Sequence, residues 1–118
     1  MRNQYNVSDA EWEVLQMLWQ LGGEARQPQI LEALQNSGRE WKRQTVNTFL
    51  SRLEEKGLVK REKRIVSAVY SEEEYKFLQM KQAIETMYDG KLSNFMAAFQ
   101  KKNAISRADA EELKELLK

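Results

Sequence analysis

Apolar residues recur along most of this 118-residue chain at helical spacing, and the punctuation between the runs marks where each helix begins and stops. The first run opens at "VSDAEW". Ser8 is placed to cap a helix, Glu11 to complete a capping box, and Val7 and Trp12 to flank the cap as a hydrophobic staple. Trp12, Leu15, Leu18 and Trp19 then follow one face until Gly22-Gly23. Both tryptophans are assigned to the core. Pro28 suits the first turn of a second helix, whose apolar face is Ile30, Leu31 and Leu34 and which stops at residues 36–38. A third helix is predicted from about Lys42 to Lys56, with Val46, Phe49, Leu50 and Leu53 inward and Gly57 as a left-handed stop. The period then changes. "LVKREK" and "IVSAVYS" predict two short strands near 58–63 and 65–70, joined at Lys63-Arg64 by a turn without Gly, Asn or Asp, so its geometry is not set by the sequence.

Helical spacing returns after Ser71-x-x-Glu74, a second capping box with Tyr70 and Tyr75 at its staple positions. The fourth helix is predicted to reach about Tyr88, where Asp89-Gly90 ends it. A fifth covers about 92–101, and Ser106-x-x-Asp109 opens a sixth carrying Leu113, Leu116 and Leu117. Three helices and a two-stranded ribbon, in that order, predict a winged helix-turn-helix over residues 1–71, of mainly α (α+β) class. Residues 72–118 are then a C-terminal three-helix domain.

The third helix has an unusual polar side. Gln44, Thr48 and Ser51 point away from the apolar face, with Thr45 and Arg52 flanking one side and Asn47 the other. A solvated helix face is ordinarily rich in Glu and Lys. Amides, short hydroxyls and guanidinium groups are what reads base edges in the major groove of DNA, where carboxylates are repelled by phosphate. In a winged helix this helix is the one that enters the groove, and the ribbon lies along the backbone. Gln44, Thr45 and Thr48 are therefore expected to face bases. Arg43 and Arg52 suit a guanine or a phosphate, and the sequence does not separate the two. Lys42 and Ser51, with Lys60, Arg61, Lys63 and Arg64 of the wing, are expected at phosphates. The alternative is a winged helix that binds protein rather than an operator; it needs an exposed apolar patch, and Phe49 is the only large apolar residue near this edge.

Charge sharpens this reading where the total does not. The net charge is +1, yet residues 39–64 hold nine Lys/Arg against four acids, while 72–118 hold eight against nine. Composition narrows the remaining classes. There is no His and no Cys, which removes the usual general base, thiolate metal sites and disulfides. The five glycines are scattered, so no phosphate-binding loop forms. No enzymatic role, metal or cofactor is expected. No run is long and apolar enough to span a membrane, and "MRNQYNVSDAEWE" lacks a signal peptide's apolar centre, so the expected compartment is the cytoplasm.

The fourth helix carries two apolar stripes, one at Phe77, Met80, Ile84 and Met87 and one at Tyr75, Leu78 and Tyr88. One stripe suffices for packing on its own domain, so the second points to another chain. Phe77, Met80, Ile84, Met87 and Tyr88, with Leu92, Phe95, Met96, Phe99, Leu113, Leu116 and Leu117, form an expected dimer interface; the alternative is an intramolecular three-helix bundle on a monomer.

The segments "VSDAEWEVLQMLWQLG", "TVNTFLSRLEEKGLVKREK", "SEEEY", "MYDGKLSNFMAAF" and "AEELKELLK", in this order and spacing, closely resemble the penicillinase-repressor family, the BlaI/MecI/CopY repressors, over about residues 5–118. The resemblance implies a dimeric bacterial repressor that binds palindromic operators built on TACA and TGTA half-sites. It also implies release by proteolysis after a membrane-embedded sensor metalloprotease detects β-lactam, or, in the copper branch, by metal exchange. Without Cys, the second route does not apply here. The wing, "KRIVSAVYSEEEY", departs from the family's usual "EGRxYxYSP", and the link into "SEEEY" is about four residues shorter. The family's Asn-Phe cleavage bond maps in register onto Ala98-Phe99, where the Asn is absent; Asn94-Phe95 is an Asn-Phe pair one helical turn earlier. The preferred reading is that Phe95 and Phe99 are core or interface residues.

Overall fold

The computed structural model describes residues 6–118. The first five residues, which the sequence reading includes in the N-terminal domain, lie outside the described residues. The element order is α1 (Asp9–Gln20), β1 (Glu24–Arg26), α2 (Gln27–Asn36), α3 (Arg43–Glu55), β2 (Val59–Glu62), β3 (Ile65–Ala68), α4 (Glu72–Met87), α5 (Leu92–Lys101) and α6 (Arg107–Leu116). The chain divides into two compact units, the first ending at Gln79 and the second running Met80–Lys118.

In the first unit the capping boxes form as expected. Ser8 Oγ accepts from the Glu11 N–H at 3.1 Å, and Glu11 Oε1 from the Ser8 N–H at 3.3 Å. Ser71 and Glu74 repeat the exchange at 3.1 and 3.3 Å. Gly57, at φ 77°, ends α3: Leu58 N–H bonds Leu53 O at 2.9 Å and Gly57 N–H bonds Glu54 O at 3.0 Å, while Leu58 and Leu53 are both buried beside the turn. Leu15 and Leu18 of α1, Ile30 and Leu34 of α2, and Val46, Leu50 and Leu53 of α3 meet in one core with Leu58, Val59 and Val66. Trp12 and Trp19 are partly buried at its edge. Their rings lie 5.6 Å apart and each packs on Tyr75, which is buried and fixes the start of α4 to this unit.

The sheet differs from expectation. It has three strands in the order β1-β3-β2, all antiparallel, rather than a two-stranded ribbon alone. Strand β1 is only Glu-Ala-Arg, with no intrinsic preference for extended structure. It forms because β3 has a second edge to pair: Ala25 sits opposite Val66 and is buried with it. The strands β2 and β3 are each two residues shorter than the spans expected from their β-branched runs. Their register places Glu62 opposite Ile65, so Lys63 and Arg64 alone make the turn, at φ 51° and 69°. Positive φ at both central residues is the primed type of two-residue hairpin turn, formed here without the Gly or Asn that usually occupies it.

The second unit has a different character. Tyr88, Phe95 and Phe99 form an aromatic ladder with centroids 5.5 and 4.5 Å apart. An apolar groove of about 660 Å³ runs between α5 and α6, lined by residues that include Leu92, Met96, Ile105, Leu113 and Leu117. No side chain from Met80 to Lys118 is buried.

Candidate nucleic-acid interface

The face of α3 opposite the core is where the sequence expectation falls. Val46, Leu50 and Leu53 are fully buried, which fixes the rotation of the helix about its axis. That rotation leaves Gln44 and Thr48 exposed, Thr45 and Ser51 half-buried, and Arg43 and Arg52 exposed at the two ends of the face. Lys42 occupies the N-cap position in extended conformation and supplies no side-chain cap, so the helix begins with a cation and with first-turn amides that no side chain covers. The loop ahead of it is braced. Gln35 Nε2 donates to Trp41 O at 3.2 Å, the Trp41 ring meets Phe49 at 5.1 Å, and the Arg39 guanidinium stacks over Trp41 while pairing with Glu13. That pairing raises the Arg39 pKa.

Individual side chains on this face are partly committed. The Thr48 hydroxyl donates to Gln44 O one turn back at 3.0 Å. What it retains toward a ligand is a methyl group and an oxygen that accepts, the pair suited to a thymine methyl or a base amine. Arg61 is more heavily committed. Strand alternation puts it on the same face of β2 as buried Val59, toward α3. Its Nη2 donates to Ser51 Oγ and Glu54 Oε1, both at 2.9 Å. Its Nε also reaches Glu54 Oε1 at 3.1 Å, and its Nη1 donates to Asn47 Oδ1 at 2.9 Å. Lys60 lies on the other face, paired at 3.4 Å with Glu62 along the strand. Lys63 and Arg64 project at the hairpin tip, both exposed. Four of the six phosphate candidates, Lys42, Lys60, Lys63 and Arg64, are thus open to solvent, while Ser51 and Arg61 hold each other.

The other end of α3 is anchored to α1. Glu11 is buried, and Lys56, at the C-cap of α3, forms an ion pair with the same carboxylate oxygen that caps α1. Burial raises the Glu11 pKa, but the Lys56 ammonium and the Ser8 N–H and hydroxyl outweigh it and hold the carboxyl below its ordinary value. The sequence marks Glu11 only as a capping residue, because nothing local announces a partner 45 positions away. Asn47 likewise falls on the flank of the polar face by spacing, and nothing local connects it to Arg61, 14 positions on.

The residues expected at a dimer interface are largely uncovered. Phe77, Met80, Met87, Leu92, Phe99, Leu116 and Leu117 are exposed, from 41% at Phe99 to 78% at Leu117. Ile84, Tyr88, Phe95, Met96 and Leu113 are half-buried. Both candidate cleavage bonds lie in α5. Asn94 is in its first turn, where its Nδ2 donates to Tyr88 O at 3.2 Å; Ala98-Phe99 is in its last.

A sheet edged by a short hairpin behind three packed helices, with an exposed polar face on the third, defines a winged-helix regulator. The penicillinase repressor family profile matches residues 7–118. The chain is 32% identical over 117 residues to the methicillin resistance regulatory protein MecI of Mammaliicoccus sciuri, and 31% to that of Staphylococcus aureus strain N315. Both alignments cover 96% of this chain and 94% of the relative. It is 25% identical to a penicillinase repressor of Staphylococcus aureus, over 97% of this chain and 92% of that protein. The chain belongs to the penicillinase repressor family and is a transcriptional repressor, not an enzyme. Among the described residues no helix is long and apolar enough to cross a membrane.

Proposed function

We propose that this repressor binds a palindromic duplex operator as a homodimer, each α3 lying in a major groove and each β2–β3 hairpin along the backbone. The observation that carries this reading is the α3 face itself: Gln44, Thr45 and Thr48 framed by Arg43 and Arg52, opposite a fully buried Val46, Leu50 and Leu53. Such a face can approach phosphates and still offer hydrogen bonds to bases. Lys42, Lys60, Lys63 and Arg64 supply phosphate contacts, which makes the affinity fall with salt as counterions are released.

Dimerisation is supported by the Met80–Lys118 unit, whose helices bury no side chain of their own and leave Met87, Leu116 and Leu117 about three-quarters exposed. Short helices in water are held by packed apolar faces rather than by propensity, so a second copy is the natural cover. Two heads on one tether engage two half-sites with a high effective concentration. The bound dimer blocks transcription by occupying the promoter. The genes under its control belong to antibiotic resistance or a related stress response, as the names of its relatives suggest. Release follows loss of the dimer, through a membrane-embedded sensor metalloprotease that cuts in α5 at Asn94-Phe95 or Ala98-Phe99, or through another signal that opens this unit.

Fluorescence anisotropy with a duplex containing TACA and TGTA half-sites, against a scrambled duplex, tests the operator reading. Preference for the palindrome is expected, with affinity for both duplexes rising at low salt, and equal binding to both overturns it. Sedimentation at micromolar protein tests the assembly: a species near the 13.9 kDa chain mass would remove the dimer.

A further inference from the structure

Asn47 lies on the exposed face of α3 between Gln44 and Ser51, and its carboxamide is held in one orientation by its neighbours. A guanidinium has five donors and no acceptor. The atom of Asn47 that meets Arg61 Nη1 at 2.9 Å must therefore be the carbonyl oxygen. The same oxygen takes a second, longer hydrogen bond, 3.4 Å, from Gln27 Nε2 at the first residue of α2. Two donors fill the two lone pairs of Oδ1. The amide nitrogen has no hydrogen-bond partner among the described residues. Arg61 is itself fixed by Ser51 and by Glu54, whose Oε1 accepts from both Nε and Nη2, so the arrangement ties α2, α3 and β2 together around one amide.

We infer that Asn47 is a specificity-determining residue that presents donors only, and that Arg61 is the positioning residue that imposes this. The inference rests on the proposed DNA reading. An unconstrained Asn pairs with adenine by accepting from N6 and donating to N7 at once. With Oδ1 already occupied that two-point pairing is lost: adenine N7 can accept from Nδ2, but the N6 donor beside it goes unmet, whereas guanine O6 and N7, or thymine O4, present acceptors alone to the Nδ2 group. Arg61, expected from the sequence at a phosphate, is thereby given a different task. Its charge is already paired with Glu54, and four of its N–H directions are used on the protein.

The test is selection of bound duplexes from a randomised-sequence pool by the full chain, followed by sequencing, for the unaltered protein, Asn47→Ala and Arg61→Lys. Lysine keeps the charge and loses the planar fork. The unaltered protein is expected to favour guanine or thymine at one position in each half-site. Asn47→Ala should flatten that position alone, a loss of roughly tenfold or more in discrimination. Arg61→Lys should admit adenine there while leaving the other positions unchanged, which also shows that the variant is folded. Should Arg61→Lys fold poorly by circular dichroism, Asn47→Ala, an exposed change, decides the matter alone. A protein that selects a motif but whose variants keep every position unchanged, or lose affinity equally for all sequences, overturns the inference and leaves DNA binding standing. A protein that selects no motif removes the DNA reading itself.

Discussion

Glu11→Gln keeps the shape of a side chain that is 3% exposed and removes its charge. The carboxylate oxygen it alters joins the start of α1 to the end of α3, through the Ser8 N–H and the Lys56 ammonium. A hydrogen bond to a charged group contributes about 1.5–3 kcal/mol. The Glu11 side chain is 4% exposed and that of Lys56 29%, so water partly screens the cation and the lower end applies, about 1.5 kcal/mol. In a domain of this size that is a fall in Tm of about 6–12 °C. Lys56→Met should cost more, because it strands a buried carboxylate, and the double variant should recover part of that loss. The coupling has a definite pH dependence. Folding depresses the Glu11 pKa, so the contribution is complete above the carboxyl's unfolded value. It is lost as pH falls through the lower folded value, where the group takes up a proton. Urea unfolding of the four proteins by circular dichroism, at neutral pH and on acidification, measures it. A coupling below about 0.5 kcal/mol at neutral pH, or one that persists under acid, refutes the bridge.

Other changes test separate parts of the structure. Lys63→Asn with Arg64→Gly matches the turn residues to the positive φ angles and should raise stability by roughly 1–2 kcal/mol, read by thermal melting. The same pair removes two cations, so the salt slope of DNA binding should shrink by about two counterions. Met87→Glu with Leu117→Glu alters two side chains that are 74% and 78% exposed; sedimentation should report monomers, with part of the helicity of residues 80–118 lost in circular dichroism as the covering copy leaves, and an intact dimer would exclude this face as the interface. Leu50→Ala, at a fully buried site behind the α3 face, should cost about 2–5 kcal/mol in urea unfolding. A loss under 1 kcal/mol would mean that this face of α3 is not packed as described.

The helices were legible because each carried its own boundary chemistry. Ser8, Ser71 and Ser106 open helices with side-chain caps to the third residue onward, and Gly57 closes one at positive φ. The outward face of α3 was legible for a related reason: burial of three apolar residues at helical spacing fixes where the remaining side chains point. The wing was legible as two β-branched runs, but not its turn. Lys63-Arg64 has no local preference for positive φ and adopts it because the β2–β3 register leaves only two residues to reverse the chain.

By itself, then, the sequence determined the succession of helices, the caps, the core faces of α1, α2 and α3, and the mixture of cations and uncharged polar groups on α3. These are settled by contacts within four residues along the chain, which spacing records. Only the tertiary structure decided that Glu-Ala-Arg becomes a strand, that Glu11 meets Lys56, and that Arg61 turns back on Asn47, Ser51 and Glu54. Each of these depends on which groups the packed core brings together from distant parts of the chain. A three-residue strand exists only beside an edge that needs pairing, and a guanidinium finds its acceptors only after Val59 has been buried against α3.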